Sequence, residues 1–149
     1  AEQYHCEYSK LIIMHVTCTS LISYFSSSPC QYFFQMTTII KACGYTRGGK
    51  EDKQKALRVL LECLAEMKTN NYIVHTSLTY RTLLNATRAL EVNDTKRRPI
   101  SATIFETCCR NGLVDETVLE ALENAQPELY VKLPANIPAA WKKNAERSR

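Results

Sequence analysis

Apolar side chains recur every three or four residues between residues 54 and 68, which is the spacing of one face of an α-helix. These positions are Ala56, Leu57, Leu60, Leu61, Leu64 and Met67. Charged residues such as Lys55, Arg58 and Glu62 stand between them and would form the solvent-facing side. The strict alternation that marks a half-buried strand is short everywhere in the chain. The pattern therefore predicts an amphipathic helix here and an all-α protein.

Capping residues predict the limits of further helices. Ser77 or Thr79 can cap a helix that runs to Leu90. Pro99 suits the first turn of another helix, which Asn111-Gly112 can end in a left-handed C-cap. Asp115 can cap a helix from Thr117 to Asn124, with Val118, Leu119 and Leu122 facing inward. Helices are also expected over residues 7–25, 35–45 and 139–147.

Helix-breaking residues divide these segments. Breaks are predicted at residues 26–29, 48–49, 70–71 and 93–94, and at Pro127, Pro134 and Pro138. Residues 36–42 align with residues 80–86 at an offset of 44, and each copy opens the first helix of a helix–turn–helix unit. Repeated two-helix units are typical of solenoids. The prediction is a right-handed solenoid of antiparallel helix pairs with about six to seven helices.

Composition narrows the class of protein. The 149 residues carry a formal charge of +4, with 45% hydrophobic and 23% charged residues, which is ordinary for a globular domain and too apolar for disorder. No apolar run reaches the length that a membrane helix requires. The seven cysteines are odd in number and mostly lie in helix-like stretches, where a free thiol acts as a small buried hydrophobe. They favour a reducing compartment.

The sequence contains no recognisable catalytic or metal-binding motif. His15 and Cys18 lack the second closely spaced ligand pair that a structural zinc site needs. Gly48-Gly49-Lys50 is similar to the end of a nucleotide-binding loop, but Glu51 stands where Ser or Thr would hold magnesium. A linker between helices is the favoured interpretation. We expect no enzyme activity, no cofactor and no metal.

Three stretches resemble the pentatricopeptide-repeat-like proteins of algal organelles, over about residues 34 to 146. The segments Thr38–Cys43 and Glu51–Leu57 resemble that family's first helix and the opening of its second. Leu78–Ala86 is similar to the repeated first helix and is the most specific match. Arg97-Arg98, Ile104–Gly112 and Pro127–Tyr130 resemble a closing repeat and cap. The division that follows is residues 1–30, a helical segment, and residues 31–149, the repeat domain with a C-terminal cap that includes Trp141.

The resemblance implies a non-catalytic stack of helical hairpins in plastids or mitochondria, in a family whose full-length members bind single-stranded RNA. Its base-selecting positions correspond to Thr37 and Thr76 for the first repeat and to Arg81 for the second. Thr76 departs from the Asn or Asp usual there, and Arg81 offers a charge instead of a base-edge pattern. An RNA-binding chain would line one groove with Thr37, Lys41, Arg81 and Asn85.

The other hypothesis is a subunit docked on a larger organellar protein assembly. Aromatic residues are dense before and within the first repeat, and basic residues are dense near the C-terminus. The interface candidates are Tyr24, Phe25, Tyr32, Phe33, Phe34, Lys142 and Lys143. The predicted host is a plastid photosynthetic complex on the stromal side, with a respiratory complex or an organellar ribosome as alternatives. Contact with a membrane surface would then come through the partner.

Overall fold

The computed structural model describes residues 29–69 and 75–134, and the side chains within them from Met36 onward. Six helices occur in these ranges: α1 (Pro29–Gly44), α2 (Lys50–Thr69), α3 (Ser77–Leu90), α4 (Asp94–Arg110), α5 (Glu116–Ala125) and α6 (Pro127–Val131). No strand occurs in them, so the all-α prediction is confirmed for this part of the chain. None of the described helices combines the length and the apolarity needed to cross a bilayer.

Helix α2 forms where the amphipathic pattern predicts it, although Leu61, which was predicted on the apolar face, is 39% exposed. The helix begins at Lys50, directly after the Gly48-Gly49 break, and buries six residues along one face: Ala56, Val59, Leu60, Cys63, Leu64 and Met67. Glu51 and Asp52 occupy its first turn and Lys68 its last, which suits the helix dipole. The predicted break at residues 70–71 lies outside the described residues, as do the helices expected over residues 7–25 and 139–147 and the Trp141 cap.

The cap of α3 is Thr76 rather than Ser77 or Thr79. The Thr76 carbonyl accepts a hydrogen bond from the Thr79 N–H at 3.0 Å, and the Thr79 hydroxyl accepts one from the Thr76 N–H at 3.4 Å. The predicted end at Leu90 is confirmed. The helix buries Tyr80, Leu83, Leu84 and Thr87 on one face.

The predicted start of α4 at Pro99 is wrong, because the helix begins five residues earlier at Asp94. The Asn93 side-chain oxygen accepts hydrogen bonds from the Thr95 and Lys96 N–H groups at 3.0 and 3.3 Å, and this cap sets the start. Pro99 lies inside the helix. The predicted C-cap is confirmed, since Gly112 has a φ of 67°.

The predictions for α5 hold closely. The Asp115 carboxylate accepts a hydrogen bond from the Val118 N–H at 2.9 Å, and Val118, Leu119 and Leu122 are buried. Pro127, which was predicted as a helix break, is the first residue of the short helix α6. The guanidinium group of Arg98 on α4 forms an ion pair with the Glu128 carboxylate on α6.

Helix α3 is the centre of the packing. It contacts α1, α2, α4 and α5, and α1 also packs on α2. Each of the contacts α1–α3 and α3–α5 joins helices that are second neighbours along the chain. One continuous core includes Ile40, Leu60, Leu83, Ile104 and Leu122. The division predicted between residues 30 and 31 falls in the first turn of α1.

Candidate binding groove

An open groove of about 380 Å³ runs between α1 and α3. Its polar lining residues are Thr37, Lys41, Arg81, Thr82 and Asn85. Its apolar or small lining residues are Gly44, Tyr45, Leu78, Ala86 and Ala89. The groove therefore mixes two cationic side chains with hydrogen-bonding and apolar groups.

Helical periodicity explains how these residues come together. Thr37 and Lys41 lie four residues apart on one face of α1, and Tyr45 follows at the next four-residue step, directly after the helix ends at Gly44. Arg81, Asn85 and Ala89 share one face of α3 at four-residue steps. The other face of α3 is anchored in the core, and this fixes the direction in which the groove face points.

The two cations of the groove have no carboxylate partner among the residues that the structure describes. The ion pairs there are Lys55–Glu51, Arg97–Asp94 and Arg98–Glu128, which leaves out both Lys41 and Arg81. No described Asp or Glu residue lines the groove. Lys41 is exposed and Arg81 is half-buried. The groove consequently offers positive charge to an anionic ligand.

Two apolar side chains in the lining were missed by the sequence reasoning. Leu78 is 41% exposed and Tyr45 is 57% exposed. The four-residue spacing of a helix face could have identified both, because Tyr45 lies one turn beyond Lys41 and Leu78 lies one turn before Thr82. An exposed leucine and tyrosine beside charged residues suit contact with an amphipathic ligand.

The predicted site residues divide into three groups. Thr37, Lys41, Arg81 and Asn85 lie together along the groove. Thr76 is the N-cap of α3 and is not among the groove-lining residues. The candidates Tyr32, Phe33 and Phe34 lie in α1, but their side chains are outside the described residues. Tyr24, Phe25, Lys142 and Lys143 are also outside them.

The described residues show neither a metal centre nor a reactive buried thiol. They contain no group of three or more His, Cys, Asp or Glu side chains placed to hold a metal ion. Cys43, Cys63 and Cys108 are buried. Burial raises the pKa of Cys108 to about 12, with smaller contributions from Cys109 and Asp115. Such a thiol stays protonated at neutral pH and is a poor nucleophile.

No protein-family model matches the chain, and no curated protein or solved structure matches it either. The fold class consequently rests on the helices themselves. Hypotheses about function rest on the groove between α1 and α3 and on the sequence resemblance.

Proposed function

We propose that the chain is a non-catalytic helical-repeat subunit that docks on a larger organellar protein assembly. The groove between α1 and α3 would hold an extended, acidic segment of the partner protein. The observation that carries this proposal is the groove lining, in which Lys41 and Arg81, neither of which is ion-paired within the described residues, lie beside exposed Tyr45 and Leu78.

The helix contacts support a repeat architecture for the proposed subunit. In a solenoid of helix pairs, the first helix of each pair packs on the first helix of the next pair. The contacts α1–α3 and α3–α5 follow this order, with α2 and α4 as the second helices. We therefore interpret the chain as a right-handed, pentatricopeptide-repeat-like solenoid of antiparallel pairs, whose grooves between first helices serve for binding.

The chemistry of the groove defines the partner segment. Tyrosine and arginine are enriched at protein interfaces, where an apolar centre is surrounded by polar contacts. Carboxylates of the segment would pair with Lys41 and Arg81, and an apolar side chain between them would contact Leu78 or Tyr45.

The proposed host is a photosynthetic complex of a plastid, approached from the stromal side. Cys43, Cys63 and Cys108 are buried and form no disulfide within the described residues, which is compatible with that reducing compartment. The choice of plastid rests on the resemblance to algal organellar proteins. A respiratory complex and an organellar ribosome are the other candidate hosts.

Native fractionation of organelles tests the docking proposal. An epitope-tagged full-length chain is expected to migrate with a large complex after detergent solubilisation. The double variant Lys41→Glu, Arg81→Glu is expected to leave that complex and to migrate as free chain. Arg88→Glu is the matched control, because Arg88 is exposed on α3 and does not line the groove. Migration of the wild-type chain only as a free monomer would refute the proposal.

A second candidate function is binding of single-stranded RNA in the same groove. The observation in its favour is that Thr37, Lys41, Arg81 and Asn85 all line the groove. Against RNA binding, Thr76 is not among the lining residues. Of the two positions that select a base in the first repeat of the family, only the one occupied by Thr37 therefore lies in the groove. Among the described residues, Tyr45 is the one aromatic side chain that lines the groove, whereas single-strand binding draws on successive stacked bases.

Titration of labelled single-stranded RNA separates the two functions. RNA binding predicts micromolar or tighter affinity that falls steeply with salt, because phosphate contacts release counterions. Arg81→Ala is then expected to weaken binding, and Arg88→Ala to leave it unchanged. Equal binding by wild type and Arg81→Ala, or none by either, would remove RNA as the ligand.

A further inference from the structure

A second cavity, of about 590 Å³, lies where the start of α2 meets the loop between α3 and α4. Gly48, Gly49 and the first turns of α2 form one wall. Leu90 to Asn93 and the side chain of Lys96 form the other. Its size is within the range of small-molecule sites. It shares no lining residue with the groove between α1 and α3.

Positive charge dominates this cavity. Lys50, Lys53 and Lys96 line it, and among the described lining residues Glu91 is the one carboxylate. The carboxylate of Asp52, in the first turn of α2, lies beside Gly48 at the edge of the cavity. The Glu91 carboxylate already accepts a hydrogen bond from the Asn93 N–H at 3.2 Å. None of the three lysines forms an ion pair within the described part of the chain. Lys55, on the same helix, differs because its Nζ lies 3.0 Å from the Glu51 carboxylate.

The backbone adds to the positive potential. The cavity lies at the N-terminal ends of both α2 and α4, where helix dipoles favour an anion. In α4 the first N–H groups are satisfied by Asn93, so that helix contributes its dipole and the Lys96 side chain. At Gly49 nothing lies within 4 Å of the position that a Cβ would occupy, so the backbone there is open to a ligand.

We propose that this cavity is a binding site for a diphosphate group. Two linked phosphates carry enough negative charge to engage three lysines around one cavity, which a single carboxylate does not. Leu90 and Val92 give the cavity an apolar edge, and Val92 is 74% exposed, so the ligand has room for an apolar or ring-containing portion. The phosphates belong either to a soluble metabolite or to a lipid headgroup.

Calorimetric titration of the full-length chain with inorganic pyrophosphate tests the soluble source. Cosedimentation with phosphatidylcholine vesicles that contain diacylglycerol pyrophosphate tests the lipid source. Saturable binding to either probe is expected, with at least tenfold weaker binding by the triple variant Lys50→Ala, Lys53→Ala, Lys96→Ala. Lys55→Ala is the matched control and is expected to bind as the wild type does. The probe that binds more tightly identifies the source of the phosphate.

Two results would overturn the proposal: no saturable binding of the wild type to either probe, or equal binding by the triple variant. If that variant does not fold, lysine acetylation of the wild type gives the same answer. Pyrophosphate or the vesicles should then slow acetylation of Lys50, Lys53 and Lys96 at least threefold and leave Lys55 unchanged, and equal rates at all four would refute the site. The groove variant Lys41→Glu, Arg81→Glu should keep this binding, so the failure of one proposal is distinguishable from that of the other.

Discussion

Gly44 of α1 lies so close to Ala86 of α3 that a methyl group on Gly44 would be 3.1 Å from both the Cα and the Cβ of Ala86. Both residues line the groove, and no larger pair would allow this approach of the two helices. The width of the groove is thus set by two small residues as well as by the side chains that give it charge.

Replacing Gly44 by a bulkier residue should separate α1 from α3. We expect Gly44→Val to lower the free energy of unfolding by about 1–3 kcal/mol, since the atoms it meets belong to the backbone and Cβ of a packed helix. Gly49→Ala is the control, because its added methyl group meets nothing within 4 Å. Urea unfolding of both variants makes the comparison, and equal stability would contradict the close approach.

Removing the cap of α5 should destabilise the protein in a pH-dependent way. Partial burial acts to raise the pKa of Asp115, but hydrogen bonds from the Ser77 and Thr117 side chains and from the Val118 and Thr117 N–H groups outweigh it and lower the pKa below its usual range. A carboxyl group whose pKa is lowered by folding stabilises the protein above its unfolded pKa, near 4, and loses this effect as the pH falls through the folded pKa.

We therefore expect Asp115→Ala to lower the free energy of unfolding by roughly 1 kcal/mol at pH 7. This difference should shrink progressively as the pH falls below about 4. Urea unfolding at pH 7 and pH 3 measures this difference. Asp115→Asn keeps a side-chain acceptor for the Val118 N–H and should retain part of the stability. A cost that is the same at both pH values would argue against an ionised cap.

The hydroxyl of Tyr80 joins α3 to the end of α4. Tyr80 is fully buried, and its hydroxyl oxygen accepts a hydrogen bond from the Asn111 side-chain amide at 2.6 Å. Burial raises the pKa of Tyr80, and the Asn111 hydrogen bond opposes it more weakly. Since folding raises this pKa, the protonated Tyr80 side chain stabilises the fold in full below its unfolded pKa, near 10. This stabilisation is lost as the pH rises toward the folded pKa.

Tyr80→Phe should therefore lower the free energy of unfolding by about 1 kcal/mol at pH 8. Between pH 8 and pH 10.5 the variant should lose less stability than the wild type does. Because all other tyrosines and cysteines are common to both proteins, the difference between the two curves isolates Tyr80. Parallel curves would mean that this phenol does not titrate differently on folding.

The adjacent thiols of Cys108 and Cys109 should differ in reactivity. Cys108 is fully buried, whereas Cys109 is exposed. Partial burial of the Cys109 thiol nevertheless raises its pKa. Brief treatment with iodoacetamide at pH 8 should alkylate Cys109 and spare Cys108, as read by fragmentation of the peptide that holds both. In denaturant the two should react alike. Equal labelling of the native chain would place Cys108 at the surface.

Local periodicity accounts for what could be predicted of the fold. Spacing alone placed four side chains in the core: Leu60 and Leu64 on α2, and Val118 and Leu122 on α5. All four are buried. The start of α4 could not be found this way, because proline normally marks a first turn. The Asn93 cap and the hydrogen bond from Arg97 Nη1 to the Glu91 carbonyl, at 2.9 Å, extend the helix ahead of Pro99.

The candidate sites were predictable to the extent that they follow one helix face. Lys41 shares a face with Thr37, and Asn85 with Arg81, so each half of the groove could be read from four-residue steps. What could not be read was the contact between distant segments. Lys96 joins Lys50 and Lys53 in one cavity only because the α3–α4 loop packs beside the start of α2.

The central position of α3 has a consequence for how the chain comes apart. In long repeat arrays each unit contacts only its neighbours, so a terminal unit can be deleted with a modest loss. Here α3 supplies the packing surface for α1, α2, α4 and α5 alike, and its own core face is covered only when helices from both sides are present. A cut between α3 and α4 would leave each fragment with an uncovered apolar face, so the helices from α1 to α5 should melt as a single cooperative unit.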